Sequence, residues 1–215
     1  MKIEFVCLAN SYKEGGRCIA GIVLENGNPI MQNGNAKWIR PVCETAHGEV
    51  PVYVVFHINL LDIVEIDVTS SVPDSYQSEN VLFDIYSVKI INKFLPSNIG
   101  SLCDYSQTTL FGNKGGAVTP ENAQLLSNSL RMVKVFNSNV VEKIYADNPN
   151  LKLRLSFTFN GNSYEIPITD PMFIDAYKTN KNLLPTSSDI FIVISLGVLH
   201  QNWHSKLVAG IFYQQ

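Results

Sequence analysis

The chain has 215 residues, 46% of them hydrophobic and 16% charged, with a formal charge of −3. That is material for one large domain or two of about 100 residues each, too apolar for general disorder, and without an apolar run near the roughly 18 residues that a membrane span needs. The net charge also excludes a protein built on many nonspecific phosphate contacts, since such proteins carry a basic surplus; nucleic acid is left to a local basic face.

The opening stretch "MKIEFVCLAN" has one Lys and an apolar run broken by Glu4. It reads as a first strand rather than a leader, and a cytoplasmic location is expected. β-branched and aromatic residues then recur in short runs punctuated by Gly, Pro, Asn and Ser, as in an all-β protein. Strands are expected near Lys2–Leu8, Arg17–Leu24, Ala36–Pro41, Leu60–Val68 and Val81–Phe94, with an irregular "CETAHGEVPVYVVFHIN" before the fourth. In "VEIDV", Val64, Ile66 and Val68 alternate with Glu65 and Asp67, giving one apolar and one acidic face. Cys7, Cys18, Cys43 and Cys103 form no CxxC pair and are expected to be thiols, most of them buried.

"VTPENAQLLSNSLRM" changes character. Thr119 suits an N-cap, Pro120 the first helical position, and Ala123, Leu126 and Leu130 make an apolar stripe, so a linking helix is expected after the loop "FGNKGG". In the second half "MVKVFNSNVV" and "LKLRLSFTF" are strands, and the Asn-Gly of "NGN" makes a hairpin turn into "SYEIPI". Asp170 and Pro171 then start a helix carrying Phe173 and Tyr177 one turn apart, and "DIFIVISLG" and "SKLVAGIFYQ" are the closing strands. Three strands, a helix and two strands is the order of the five-stranded Greek-key barrel called the OB-fold; a β-sandwich is the alternative. The expected fold is mainly β: two tandem OB-fold-like five-stranded Greek-key barrels, with one linking helix and one helix in the second barrel. The divisions are 1–95 for the first barrel, 96–130 for the connecting loop and helix, and 131–215 for the second barrel.

The phrases "CLANSYKEGGRCIAGI", "KWIRPV", "LLDIVEI", "YEIPITDP" and "DIFIVISLG…KLVAGI", in that order from Cys7 to Ile211, resemble the bacterial dual-OB-containing domain family. The resemblance implies two OB-folds and a nucleic-acid or nucleotide sensing role, in defence against invading DNA. It carries no catalytic residues. The chain also echoes itself, with "AGI" at Ala20–Ile22 and at Ala209–Ile211. Gly21 and Gly210 are expected on two equivalent barrel strands, permitting coiling or close backbone approach.

The first candidate site is Asn10, Ser11, Lys13, Arg17, Lys37, Trp38 and Arg40, in "NSYKEGGR" and "KWIRP". OB-folds bind oligonucleotides on the face of strands 2 and 3 and with the loop joining strands 1 and 2. Stacking on Trp38, with Arg40 on phosphate or base, would contribute about 1–3 kcal/mol per base. The competing reading packs Trp38 into the core and pairs Arg40 with a carboxylate. The second candidate is "HQNWHSK", with Trp203, His204 and Lys206 on the last inter-strand loop. His200 and His204 are four apart, which suits a metal only on a helix. Lys114 in "GNKGG" lacks the P-loop pattern and reads as a flexible tip.

No cofactor, metal site or catalytic residue is expected. A Pro-Asp…(Asp/Glu)-x-Lys nuclease arrangement around "VPDSYQSENVLFDIYSVK" fails because Ser87 stands two residues before Lys89, and no G-x-S-x-G or H-E-x-x-H occurs. The expected function is non-enzymatic binding of single-stranded nucleic acid or a nucleotide. A protein-interaction adaptor is the alternative, and a degenerate nuclease the third.

Overall fold

A computed structural model describes residues 1–32, 34–145, 148–184 and 189–213. The first half runs β1 (Lys2–Lys13), β2 (Gly16–Glu25), three two-residue strands β3 (Asn28–Pro29), β4 (Met31–Gln32) and β5 (Asn35–Ala36), then β6 (Trp38–Val42), α1 (Val52–Val55), β7 (Asp62–Ser71), β8 (Asn80–Phe83) and β9 (Lys89–Lys93). β1 pairs antiparallel with β2 and with β7, β2 with β6, and β7 with β8, while β6 and β8 run parallel from Arg40↔Asn80 to Val42↔Leu82. The circuit β1-β2-β6-β8-β7 therefore closes on itself, which removes the free edges of an open sheet. The alternation in β7 has its expected effect: Val64, Ile66 and Val68 are buried in the barrel core.

The second half runs β10 (Ala117–Val118), α2 (Pro120–Ala123), β11 (Leu130–Tyr145), β12 (Asn148–Phe159), β13 (Asn162–Pro167), α3 (Pro171–Thr179), β14 (Ile190–His200) and β15 (Trp203–Phe212). β11 pairs with β12 and β14, β12 with β13, and β14 with β15. β13 meets β15 through the single parallel bridge Ile168↔Val208, so this sheet is curled rather than fully laddered. Both halves share one strand order, that of the OB-fold, and each has a helix between its third and fourth barrel strands. Among the described residues, no helix is long and apolar enough to cross a membrane.

Local chemistry explains most element ends. Asn160 (φ 46°) and Gly161 (φ 74°) supply the two positive φ angles of the β12–β13 turn. The Asp170 carboxylate accepts from Met172 N at 3.0 Å and Phe173 N at 3.2 Å, with Pro171 opening α3. The linking helix is shorter than its stripe suggests. Thr119 does cap it, accepting from Asn122 N, but α2 ends at Ala123. Leu125 is exposed, Ser129 is tied to the first barrel, and Leu130 already pairs with Ser195 in β11. The expected strand Val81–Phe94 is two strands, because Asp84 turns the chain by accepting from Tyr86 N and Ser87 N.

The buried side chains form two barrel interiors and a third cluster between them, where Val6, Leu8 and Ile22 of the first barrel meet Met132, Val193 and Ala209 of the second. The two Ala-Gly-Ile phrases serve this packing. A Cβ on Gly21 would lie 1.9 Å from the Val6 carbonyl oxygen, and one on Gly210 would lie 2.2 Å from that of Leu8. Close backbone approach is thus required at both. The strands are not equivalent, however: β2 is the second strand of its barrel and β15 the fifth strand of the other. Both glycines bear on β1, one from within its sheet and one from across the seam.

Candidate functional site

The structure disperses the first candidate cluster. Trp38 is 8% exposed and packs into the inter-barrel cluster, because β6 lies between β2 and β8 and turns the ring inward. Asn10 is buried and donates to the carbonyls of Val55 at 2.8 Å and Ile58 at 2.9 Å, closing the end of α1. Arg40 sits on the same short strand with its side chain 2% exposed, paired at 3.2 Å with an equally buried Glu79. Its Nη2 also donates to Ser129 Oγ at 2.7 Å and Ser195 Oγ at 3.3 Å, both on the second barrel. Glu79 in turn accepts from Ser129 N at 3.2 Å and from the Ser129 hydroxyl. Buried charges persist only with such partners, so Trp38, Asn10 and Arg40 do not form the exposed strand-binding face that the sequence suggests, although Trp38 and Arg40 each border a cavity.

Ser11 and Lys13, together with Arg40, line a cavity of about 200 Å³ at the barrel seam. Burial lowers the pKa of Lys13, and the neighbouring Arg40 charge adds to the effect. Arg17 is half-buried, its guanidinium carbon 4.7 Å from the centre of the Tyr12 ring. Lys37 is exposed.

In the second candidate loop, Gln201 and Asn202 form a tight turn with positive φ angles of 47° and 65°, and Trp203 beside them is 49% exposed. His204 is buried: its ring lies 4.0 Å from that of Tyr76, and its Nδ1 is 2.9 Å from the Gly197 carbonyl oxygen. Lys206 is fully buried, with Nζ donating to Asn113 O, Asn113 Oδ1 and Gly115 O at 3.0, 2.8 and 2.7 Å. Burial pushes its pKa down to about 8. His204 and Lys206 hold the molecule together, and Trp203 is the member of this group that solvent reaches.

Tyr76, between β7 and β8, belongs to the second barrel's core cluster and donates to the Gly197 carbonyl at 3.0 Å. At the end of β1, Tyr12 N donates to the Thr169 carbonyl at 3.0 Å. The two loops of the first barrel that a solitary OB-fold would extend to a ligand are here docked on the second barrel.

What stays open is a trough of about 660 Å³ on the first barrel. Its walls come from Met1 and Ile3 at the start of the chain, Val23 of β2, Lys37 just before β6 with Trp38 and Ile39 in it, Val68 to Ser71 of β7 and Val81 of β8, with Ser78, Glu79, Ser127 and Asn128 at the end facing the second barrel. A further 300 Å³ lies beyond Trp38, and the two spaces share Asn35, Ala36, Trp38 and Asn128. Hydroxyl and amide groups share the lining about equally with apolar side chains, and Lys37 and the Met1 ammonium are its exposed cations. This volume is within the range of small-molecule sites. Asn35, Ser70 and Asn128 were not legible as site residues, since they carry no motif and meet only through the barrel's closure.

A family model described as "Dual OB-containing domain" matches residues 3–211. Among curated proteins, none matches the chain by sequence. Of solved structures, a tetrameric p202 HIN2 aligns at 9% identity and a TM-score of 0.34, covering 100% of this chain and 92% of the other. A murine DNA-binding protein bound to double-stranded DNA aligns at 7% identity and a TM-score of 0.37, covering 100% and 96%. Neither alignment bears on what this chain binds.

Proposed function

The chain belongs to the dual OB-containing domain family, and from that premise we propose that it binds a short single-stranded nucleic acid or a nucleotide, without catalysis, in the trough on the first barrel. The observation that carries this reading is the trough's position and lining. One wall comes from strands 2 and 3, through Val23, Trp38 and Ile39, the strands that OB-folds use for oligonucleotides. Its Asn, Gln and Ser groups provide both donors and acceptors suited to base edges, and Lys37 stands at the rim for a phosphate. The volume holds one or two nucleotides rather than a long strand. A chain of net charge −3 then makes few phosphate contacts, so the affinity falls only shallowly with salt. Trp203, exposed on the second barrel, adds a stacking surface for a longer ligand.

The test is anisotropy with labelled single-stranded DNA, single-stranded RNA and duplex DNA across a salt series, comparing the natural chain with Lys37→Glu and Asn35→Ala. Binding to a single strand that both substitutions weaken supports the trough; equal binding by all three proteins removes it.

A protein-interaction adaptor is the second reading, favoured by α1, where Tyr53 is 68% and Phe56 66% exposed beside a half-exposed Val52. Such a patch marks a partner surface. That reading gains if no nucleic acid binds at low salt.

A further inference from the structure

Two cations converge on the seam cavity. Arg40 is fully buried against it and spends only one end of its guanidinium: Nη2 is engaged by Glu79, Ser129 and Ser195, Nη1 reaches only the Cys18 sulfur at 3.5 Å, and Nε has no partner. Lys13 is the last residue of β1, paired with Gly16 of β2, and its side chain has no hydrogen bond or ion pair among the described residues. The Ser11 and Ser195 hydroxyls complete the lining, and the Gly15 turn (φ 82°) forms the rim.

We propose that this cavity is a seat for a single phosphate group, held by the Lys13 ammonium and the unengaged N–H groups of Arg40, with the Ser11 hydroxyl as a further donor. Unsatisfied donors rather than net charge favour an anion: Glu79 neutralises Arg40 and Glu14 at the mouth balances Lys13, yet the Arg40 Nε–H has no acceptor. Buried N–H groups without acceptors are costly, and a tetrahedral oxyanion supplies acceptors to several donors at once. The size fits as well. At roughly 30 Å³ per water, a cavity of about 200 Å³ admits a phosphate and a few waters but not a whole nucleotide. The group is therefore free phosphate or the terminal phosphate of a strand whose remainder lies outside. Because the cavity is formed by both barrels, its occupant also clamps them together.

The seat is independent of the trough, and the experiment separates them. The full chain and its Lys13→Met and Ser11→Ala variants are titrated with inorganic phosphate against chloride at matched ionic strength, following heat of binding and melting temperature. The same proteins are titrated with one short single-stranded oligonucleotide, with and without a 5′-phosphate. Lys13 is only partly buried, so its loss leaves the fold standing. The expected result is that phosphate binds and raises the melting temperature, and that Lys13→Met weakens it about tenfold or more, the loss of one charge-assisted contact. A matching advantage for the 5′-phosphorylated strand assigns the seat to a strand terminus; phosphate binding without that advantage assigns it to free phosphate. No phosphate binding and no 5′-phosphate preference overturns the proposal, and leaves the trough standing if the unphosphorylated strand still binds.

Discussion

Arg40 and Glu79 form a 3.2 Å ion pair with both side chains 2% exposed, and the pair is closed by Ser129 and Ser195 from the opposite barrel. It is the polar joint of the molecule. Removing one partner leaves an uncompensated buried charge, which costs about 3–5 kcal/mol, whereas replacing both with apolar groups of similar volume costs much less. Arg40→Met is expected to lower stability by that amount in urea unfolding, and Arg40→Met with Glu79→Met to recover most of it. A single variant within about 1 kcal/mol of the natural chain would show that the pair is not structural.

The glycine echo makes a steric prediction. Gly210→Ala places a methyl 2.2 Å from the Leu8 carbonyl oxygen, whereas Gly116 has nothing within 4 Å of its Cβ position. Gly210→Ala should destabilise by about 3 kcal/mol through forced separation of β1 and β15, and Gly116→Ala should be near neutral. Melting temperatures of the two variants decide the point. Equal values would mean that the seam is looser than these distances.

Asp170 predicts a pH dependence. Burial raises its pKa from 3.8 to about 6, against the opposing backbone donors of Phe173, Ile211 and Met172. A carboxyl with a raised folded value binds its proton more tightly in the folded state. Its contribution to stability is therefore fully present below about pH 4 and is lost as pH rises through about 6. That difference corresponds to about 3 kcal/mol. Urea midpoints measured between those limits should decline more steeply with pH in the natural chain than in Asp170→Asn; parallel slopes would contradict the assignment.

Lys206 latches the loop before β10. Its replacement by Met leaves the Asn113 and Gly115 carbonyls without their shared donor, a loss of about 1–3 kcal/mol felt first in the loop. Amide exchange at Lys114 to Ala117 is expected to quicken in Lys206→Met while exchange in β11 and β14 stays slow. Unchanged loop exchange would show that the ammonium is not what holds it.

Legibility in the sequence followed how local the cause was. The β7 and β12 alternations, the Asn160-Gly161 turn and the Asp170-Pro171 helix start are decided by neighbours a few residues apart, and all were readable. The false length of the linking helix came from Leu126 and Leu130 matching a helical stripe by spacing, while the winning interactions, Ser129 with Glu79 and Leu130 with Ser195, are long-range. The candidate sites failed in the same way. "KWIRP" reads as a basic aromatic binding stretch because nothing nearby in sequence announces Glu79 or Ser195 as partners for Arg40. Lys206 looks like a loop cation until the Asn113 loop is folded over it. Polar residues at a seam between domains resemble polar residues at a ligand site, since both need donors and charge in a concave place.

The most direct measurement is the affinity of the full chain for a short single-stranded oligonucleotide at low salt, with Lys37→Glu as the paired variant. The Lys37 side chain is exposed and makes no hydrogen bond or ion pair among the described residues, and its backbone bonds to Val23 and Ile30 survive substitution, so the variant isolates the trough. The account predicts micromolar binding with a shallow salt dependence, weakened about tenfold by the charge reversal. Binding that Lys37→Glu leaves unchanged, or no binding to any single strand, would contradict it.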